Sequence, residues 1–134
     1  MKKLIAVLIF ISLGSTAFSQ KLKIENYIFW KEYYHGESEI TKSQFIDTLK
    51  SFEESSLEFN KSESYSNVSD AAAIVTLVAA IDMRIIIDDL PNNAPSKLQN
   101  MATTGVIAYG IYTYCAILSS ISFKNAIEIY NRKH

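Results

Sequence analysis

The sequence predicts a mainly α fold, in which a C-terminal antiparallel helical hairpin, membrane-associated, follows a small N-terminal region of strand, turn and amphipathic helix. Three observations predict it. Leu98 to Phe123 is a run of 26 residues without a charge. A second apolar segment, Ala71 to Ile81, precedes it, separated by the Pro/Asn-rich stretch Pro91–Pro95. Upstream of both lies a polar, aromatic region whose apolar residues recur first densely and then at helical spacing.

The N-terminus, MKKLIAVLIFISLGSTAFSQ, reads as a secretory signal peptide over residues 1–19. Lys2 and Lys3 lead, Leu4 to Leu13 form a short apolar stretch, and Ala17 and Ser19 supply small residues before the expected cut. Ten apolar residues are too few to span a bilayer well. Removing Lys2 and Lys3 from the 13 basic residues leaves 11 against 14 acidic, a net charge of −3 for the remainder. That balance excludes the basic stripe nucleic acid requires. The one cysteine, Cys115, makes no intrachain disulfide, so stability is expected from a helical core, a partner or a membrane.

Two regions are expected after the signal: a polar and aromatic periplasmic region, 20–67, and an apolar helical hairpin with an amphipathic tail, 68–134. The first holds Tyr27, Phe29, Trp30, Tyr33 and Tyr34, a density that favours strand, while Lys23, Glu25 and Lys31 do not settle the period and leave a helix open. These aromatics are the candidate partner-contact residues. His35-Gly36-Glu37 reads as a turn. Thr41 and Gln44 form a capping box, with Ile40 placed to staple onto Phe45. Phe45, Leu49, Phe52 and Phe59 then follow one helical face, opposite Asp47, Lys50, Glu54 and Glu58. The stretch Asn60–Ser69 is expected to be an exposed connector. Its two glycosylation sequons, at Asn60 and Asn67, matter only in a eukaryotic secretory pathway.

The hairpin arms differ. The second, started by a capping box at Ser96 and Gln99, is long enough to span a membrane, although Thr103, Thr104, Ser119, Ser120 and Ser122 dilute it. The first carries Asp82 and Arg84, at about 2.5 to 3.5 kcal/mol each for a mid-span charge. Arg84 can snorkel and pair with Asp88 one turn on; Asp82 has no local partner. Small residues (Ala102, Gly105, Ala108, Ala116, Ser119) share one side of the second arm, interrupted by Tyr112. The hydroxyls of Tyr109, Tyr112 and Tyr114 call for helix neighbours rather than lipid. Asp82, Arg84, Asp88, Gly105, Tyr109 and Tyr112 are therefore the candidate packing or functional positions. Lys124, Arg132 and Lys133 favour a cytoplasmic C-terminus if only the second arm spans; a two-span hairpin leaves them outside.

The ending Lys124-Asn125-Ala126-Ile127-Glu128-Ile129-Tyr130-Asn131, with Tyr33-Tyr34-His35-Gly36 and Ile40-Thr41 upstream, resembles a group of small exported bacterial proteins of uncharacterised function. The resemblance covers most of the mature chain and implies a membrane-associated apolar hairpin, usually glycine-rich. Here Gly105 and Gly110 are the only glycines after Gly36. The group brings no activity and no functional residues.

No catalytic, cofactor-binding or metal-ligating constellation is legible. The histidines, His35 and His134, fit no His-x-x-x-His pattern, and no nucleophile-elbow or phosphate-loop motif occurs. An enzyme reading would have to use Asp82, Asp88 or Asp89 with His35. The expectation is a non-enzymatic, exported interaction protein in the inner membrane facing the periplasm, without cofactor, whose partners are membrane lipid and either an unknown protein or a second copy, not nucleic acid. The alternative is a soluble periplasmic helical binder of the inhibitor or immunity type, with the two arms as its core.

Overall fold

The computed structural model describes residues 21–26, 30–88 and 95–134 of the chain. The signal segment, Tyr27, Phe29, Asp89 and the inter-arm turn lie outside the described residues. Strands β1 (Leu22–Asn26), β2 (Lys31–His35) and β3 (Ser38–Ile40) precede helices α1 (Lys42–Lys50), α2 (Glu53–Asp88) and α3 (Pro95–Lys133). The fold is mainly helical, with a small antiparallel sheet on its N-terminal side and a packed pair of long helices. The chain forms two compact units. One comprises the residues up to Ser56 together with Ala126–His134, and the other is Leu57–Asn125.

In the first unit the sheet runs β1-β2-β3. Register places Tyr33 between Ile24 and Ile40, so these three share one face. Lys23, Glu25, Tyr34 and Glu39 fall on the other, more polar face. Gly36 takes φ 64° at the β2–β3 turn, a conformation glycine adopts without steric cost. The apolar face meets α1, where the Tyr33 ring lies 5.1 Å from that of Phe45. Phe45 and Leu49 are fully buried.

The capping box that starts α1 forms as the sequence predicts. Thr41 Oγ1 accepts from the Gln44 amide at 3.2 Å, and the Thr41 amide donates to Gln44 Oε1 at 2.9 Å. The single helix expected through Phe59, however, ends at Lys50. Ser51 caps it, its amide donating to Asp47 and its hydroxyl to Thr48. The chain bends at Phe52 and restarts at Glu53. Local side-chain hydrogen bonding of this kind competes with helix continuation. Ser55, fully buried, closes the corner by donating to the Leu49 and Phe52 carbonyls.

The end of α3 completes this unit. The Leu22 amide donates to Asn131 Oδ1 at 2.7 Å, and Asn131 Nδ2 donates to the Leu22 carbonyl at 2.9 Å. One carboxamide thus satisfies both main-chain groups of an edge-strand residue, as a neighbouring strand would.

Two further sequence expectations are corrected. Asn60–Ser69 is no connector: it is continuous helix within α2. Its Ser and Asn residues have low helix propensity, but tertiary packing outweighs propensity. Ser96 does not cap the second arm, because α3 already begins at Pro95, a residue well suited to the first helical position.

Replacing Thr41 with Ala should cost about 1 kcal/mol through loss of the cap. Asn131→Leu, which strands both Leu22 groups, should cost about 1 to 3 kcal/mol. Thermal unfolding followed by circular dichroism ranks the two.

Candidate functional site

In the second unit α2 and α3 run antiparallel, and their contact residues recur at alternating spacings of three and four. On α2 the inward positions are Ser62, Tyr65, Ser69, Ala72, Thr76, Ala79 and Met83. On α3 they are Gly105, Ala108, Tyr112, Cys115, Ser119 and Ser122. Most of them are buried or half-buried. Such a 3-4 alternation keeps one narrow stripe of each helix facing the other.

What fills the stripe is unusual for a soluble helix pair. Large side chains are scarce in the seam; glycine, alanine, serine and cysteine predominate. Ser62 Oγ donates to the Ser119 carbonyl at 2.9 Å, and Ser119 Oγ donates to the Ser62 carbonyl at 3.0 Å. Seven residues on, Ser69 Oγ donates to the Tyr112 carbonyl at 3.1 Å. Thr76 donates back to Ala72 at 2.9 Å. A side-chain hydroxyl reaches a carbonyl of the facing helix only where two backbones approach closely. A Cβ built on Gly105 would lie 3.5 Å from Ala79 Cβ and 3.9 Å from Met83 Cε, ordinary contact with the facing helix. Phe59 and Phe123 pack against each other at the other end of the pair, with ring centroids 5.9 Å apart.

Sequence reasoning identified Gly105 and Ala108 on the small-residue side of α3. It missed the matching hydroxyl column of α2, which was hidden inside the supposed connector. The signal was present: Ser62, Ser69 and Thr76 stand seven residues apart.

The large apolar side chains point the other way. On α2, Ile74, Leu77, Val78, Ile81 and Ile85 are about half exposed or more. On α3, Val106, Ile107, Tyr109, Tyr114, Ile117 and Ile121 are likewise exposed. Two shallow apolar grooves flank the seam. One is lined by Ala72, Val75, Thr104, Ile107, Ala108 and Ile111, and the other by Thr76, Ala80, Met83, Ala102, Gly105 and Tyr109. α3 is long and apolar enough to cross a membrane by length and composition, and only 17% of its most apolar window is buried.

The candidate positions are now placed. Gly105 is in the seam. Tyr112 contributes its carbonyl to the seam, and its ring packs 6.1 Å from that of Tyr109. Tyr109 and Tyr114 are 58% and 65% exposed among the described residues. Asp82 is half-buried and Arg84 exposed. Asp88 ends α2, and its side chain lies outside the described residues. Among the candidate aromatics, Tyr33 is spent on Phe45, Tyr34 donates to Glu32, and Trp30 is exposed, its indole N–H donating to Glu32. No cluster of three metal-ligating side chains occurs among the described residues.

Both histidines converge on one residue of the first unit. Tyr130 Oη lies 3.3 Å from His35 Nε2, and the His134 ring stacks 4.5 Å from the Tyr130 ring. Burial raises the Tyr130 pKa above the usual tyrosine value. His35 is thereby a packing residue on the sheet, remote in sequence from the aspartates an enzyme reading would pair with it.

No protein-family model, no curated protein and no solved structure matches this chain.

Two outcomes follow. Gly105→Leu should destabilise the hairpin by about 1 to 3 kcal/mol through overpacking, while Gly105→Ala should be tolerated; unfolding in mild detergent measures both. Because the folded-state pKa of Tyr130 is raised, its contribution to stability is complete below about pH 10 and is lost as pH rises through the folded value. Tyr130→Phe should flatten that alkaline loss in a pH series of melting temperatures.

Proposed function

We propose that this chain is an exported, membrane-associated, non-enzymatic interaction protein whose helix pair is the membrane anchor. The observation that carries this reading is the inverted distribution of the helix pair. Small and hydroxyl side chains occupy the seam, and large apolar ones face outward. Among the described residues seventeen large apolar side chains of this unit are exposed, and eleven of them, seven on α2 from Ile74 to Ile87 and four on α3 from Val106 to Ile111, lie between the levels of Asp70 and Asp88. At about 1 kcal/mol for the exposed half of each, leaving those eleven in water forfeits on the order of 10 kcal/mol, as much as the whole stability of a typical domain. A bilayer removes that cost.

Depth follows from the charges. From Asp70 to Asp88 the helix rises about 27 Å, close to the ~30 Å hydrocarbon thickness. Asp82 and Arg84 then sit about 9 and 6 Å from the Asp88 end, where the insertion cost falls and Arg84 can snorkel. Inserting α3 alone would pull its backbone away from Ser62 and Ser69 and leave the apolar residues of α2 in water. The two arms therefore insert together, which outweighs the modest preference of Lys124, Arg132 and Lys133 for the cytoplasmic side. The signal segment directs export, and the sheet-bearing unit with exposed Trp30 faces the periplasm and meets the partner. The alternative, a soluble periplasmic binder, needs another protein to cover the same surface.

Carbonate-washed membrane fractionation tests the anchor. The mature protein should stay in the membrane pellet, and Val78→Asp with Ile107→Asp should release most of it. Full recovery of the unsubstituted protein in the soluble periplasmic fraction would contradict the reading.

A further inference from the structure

The apolar face of α3 outruns the arm it packs on. The seam bonds set Ser62 level with Ser119 and Ser69 level with Tyr112. At that level α2 turns outward with Asn60, Lys61, Glu63, Ser64 and Asn67, all exposed. Across the seam α3 turns outward with Tyr114, Ile117 and Ile121, which are 65%, 60% and 50% exposed. Hydrocarbon deep enough to cover the second set would also bury the first, at a cost of kilocalories per charge. Protein fits this strip better than lipid.

The strip has the spacing of a second helix seam. Ile107, Gly110, Tyr114, Ile117 and Ile121 follow one another at three and four residues, on the side of α3 opposite the Gly105–Ser119 stripe. A Cβ built on Gly110 would meet nothing within 4 Å among the described residues, so glycine here, costly in a helix interior, leaves space that none of them uses. Covering Val106, Ile107, Tyr114, Ile117 and Ile121 removes on the order of 100 Å² each. The total, on the order of 500 Å² per copy and so about 1,000 Å² for the pair, meets the roughly 1,000 Å² that a specific interface requires.

We propose that a second copy of this chain packs on this strip, α3 against α3, parallel about a two-fold axis. The parallel sense rests on the membrane reading, because two copies inserted from one side share their direction. Each strip residue then faces its own counterpart, as an isologous contact requires.

Self-cross-linking of single cysteines tests this in lipid vesicles. On a Cys115→Ala background, cysteine replaces Tyr114, Ile117 or Ile121 on the strip, and Ser64 or Asn67 on the outer face of α2. The strip variants should form disulfide dimers at least tenfold faster than the α2 variants. Gly110→Leu should slow dimer formation at Ile117→Cys several-fold while leaving helicity unchanged. Equal rates on both helices, or no dimers from vesicles that carry the protein through a flotation gradient, would overturn the dimer and leave the anchor standing. Fast strip dimers in protein that fails to float would support the strip and overturn the anchor.

Discussion

Ser62 and Ser119 each donate a hydroxyl hydrogen to the other's main-chain carbonyl. That exchange forces two helix backbones together and sets much of what the helix pair does. A close seam favours small side chains, so Ala72, Ala79, Gly105, Ala108 and Cys115 line most of it and most of the bulky residues are turned outward. In water the arrangement is poor, because the seam buries little apolar area. In lipid it is favourable, because packing and hydrogen bonding join helices there while large apolar residues are solvated by the tails. Cys115 follows the same logic: it is buried as one more small residue of the seam.

The sheet-bearing unit solves a different problem. Its sheet is small, with a three-residue third strand, and a sheet of that size needs a covering element. α1 covers one face through Phe45 and Leu49, and the end of α3 secures β1 through Asn131 and Tyr130. The ending Ala126–Asn131 is thus a structural clasp in this chain. Asn131 serves as a pseudo-strand and Tyr130 as the platform for both histidines.

The helical hairpin, the strands, the Gly36 turn and the Thr41 capping box were legible because each leaves a local signature: a long charge-free run, aromatic density, glycine at a turn, or Thr with Gln three residues on. The break at Ser51 was not, because Phe45, Leu49, Phe52 and Phe59 keep helical spacing straight through it. Nor was the helical state of Asn60–Ser69. There, Ser and Asn argue for a loop locally, and only contact with Tyr112 and Ser119, more than forty residues away, reverses that preference. Of the candidate positions, Gly105 was readable as a small residue on a stripe. The inward role of Ser62 and Ser69 was masked by their membership of sequons, which draw attention to the neighbouring asparagines.

The central claim is that the outer surface of the helix pair is solvated by hydrocarbon between the levels of Asp70 and Asp88. Water-soluble maleimide labelling of single cysteines, again on Cys115→Ala and in sealed vesicles, measures it most directly. Cysteines at Ile74, Val78 and Ile81 should resist the reagent until detergent is added, whereas those at Asn60 and Ser64 should react at once. Equal, rapid labelling at all five positions would contradict the account.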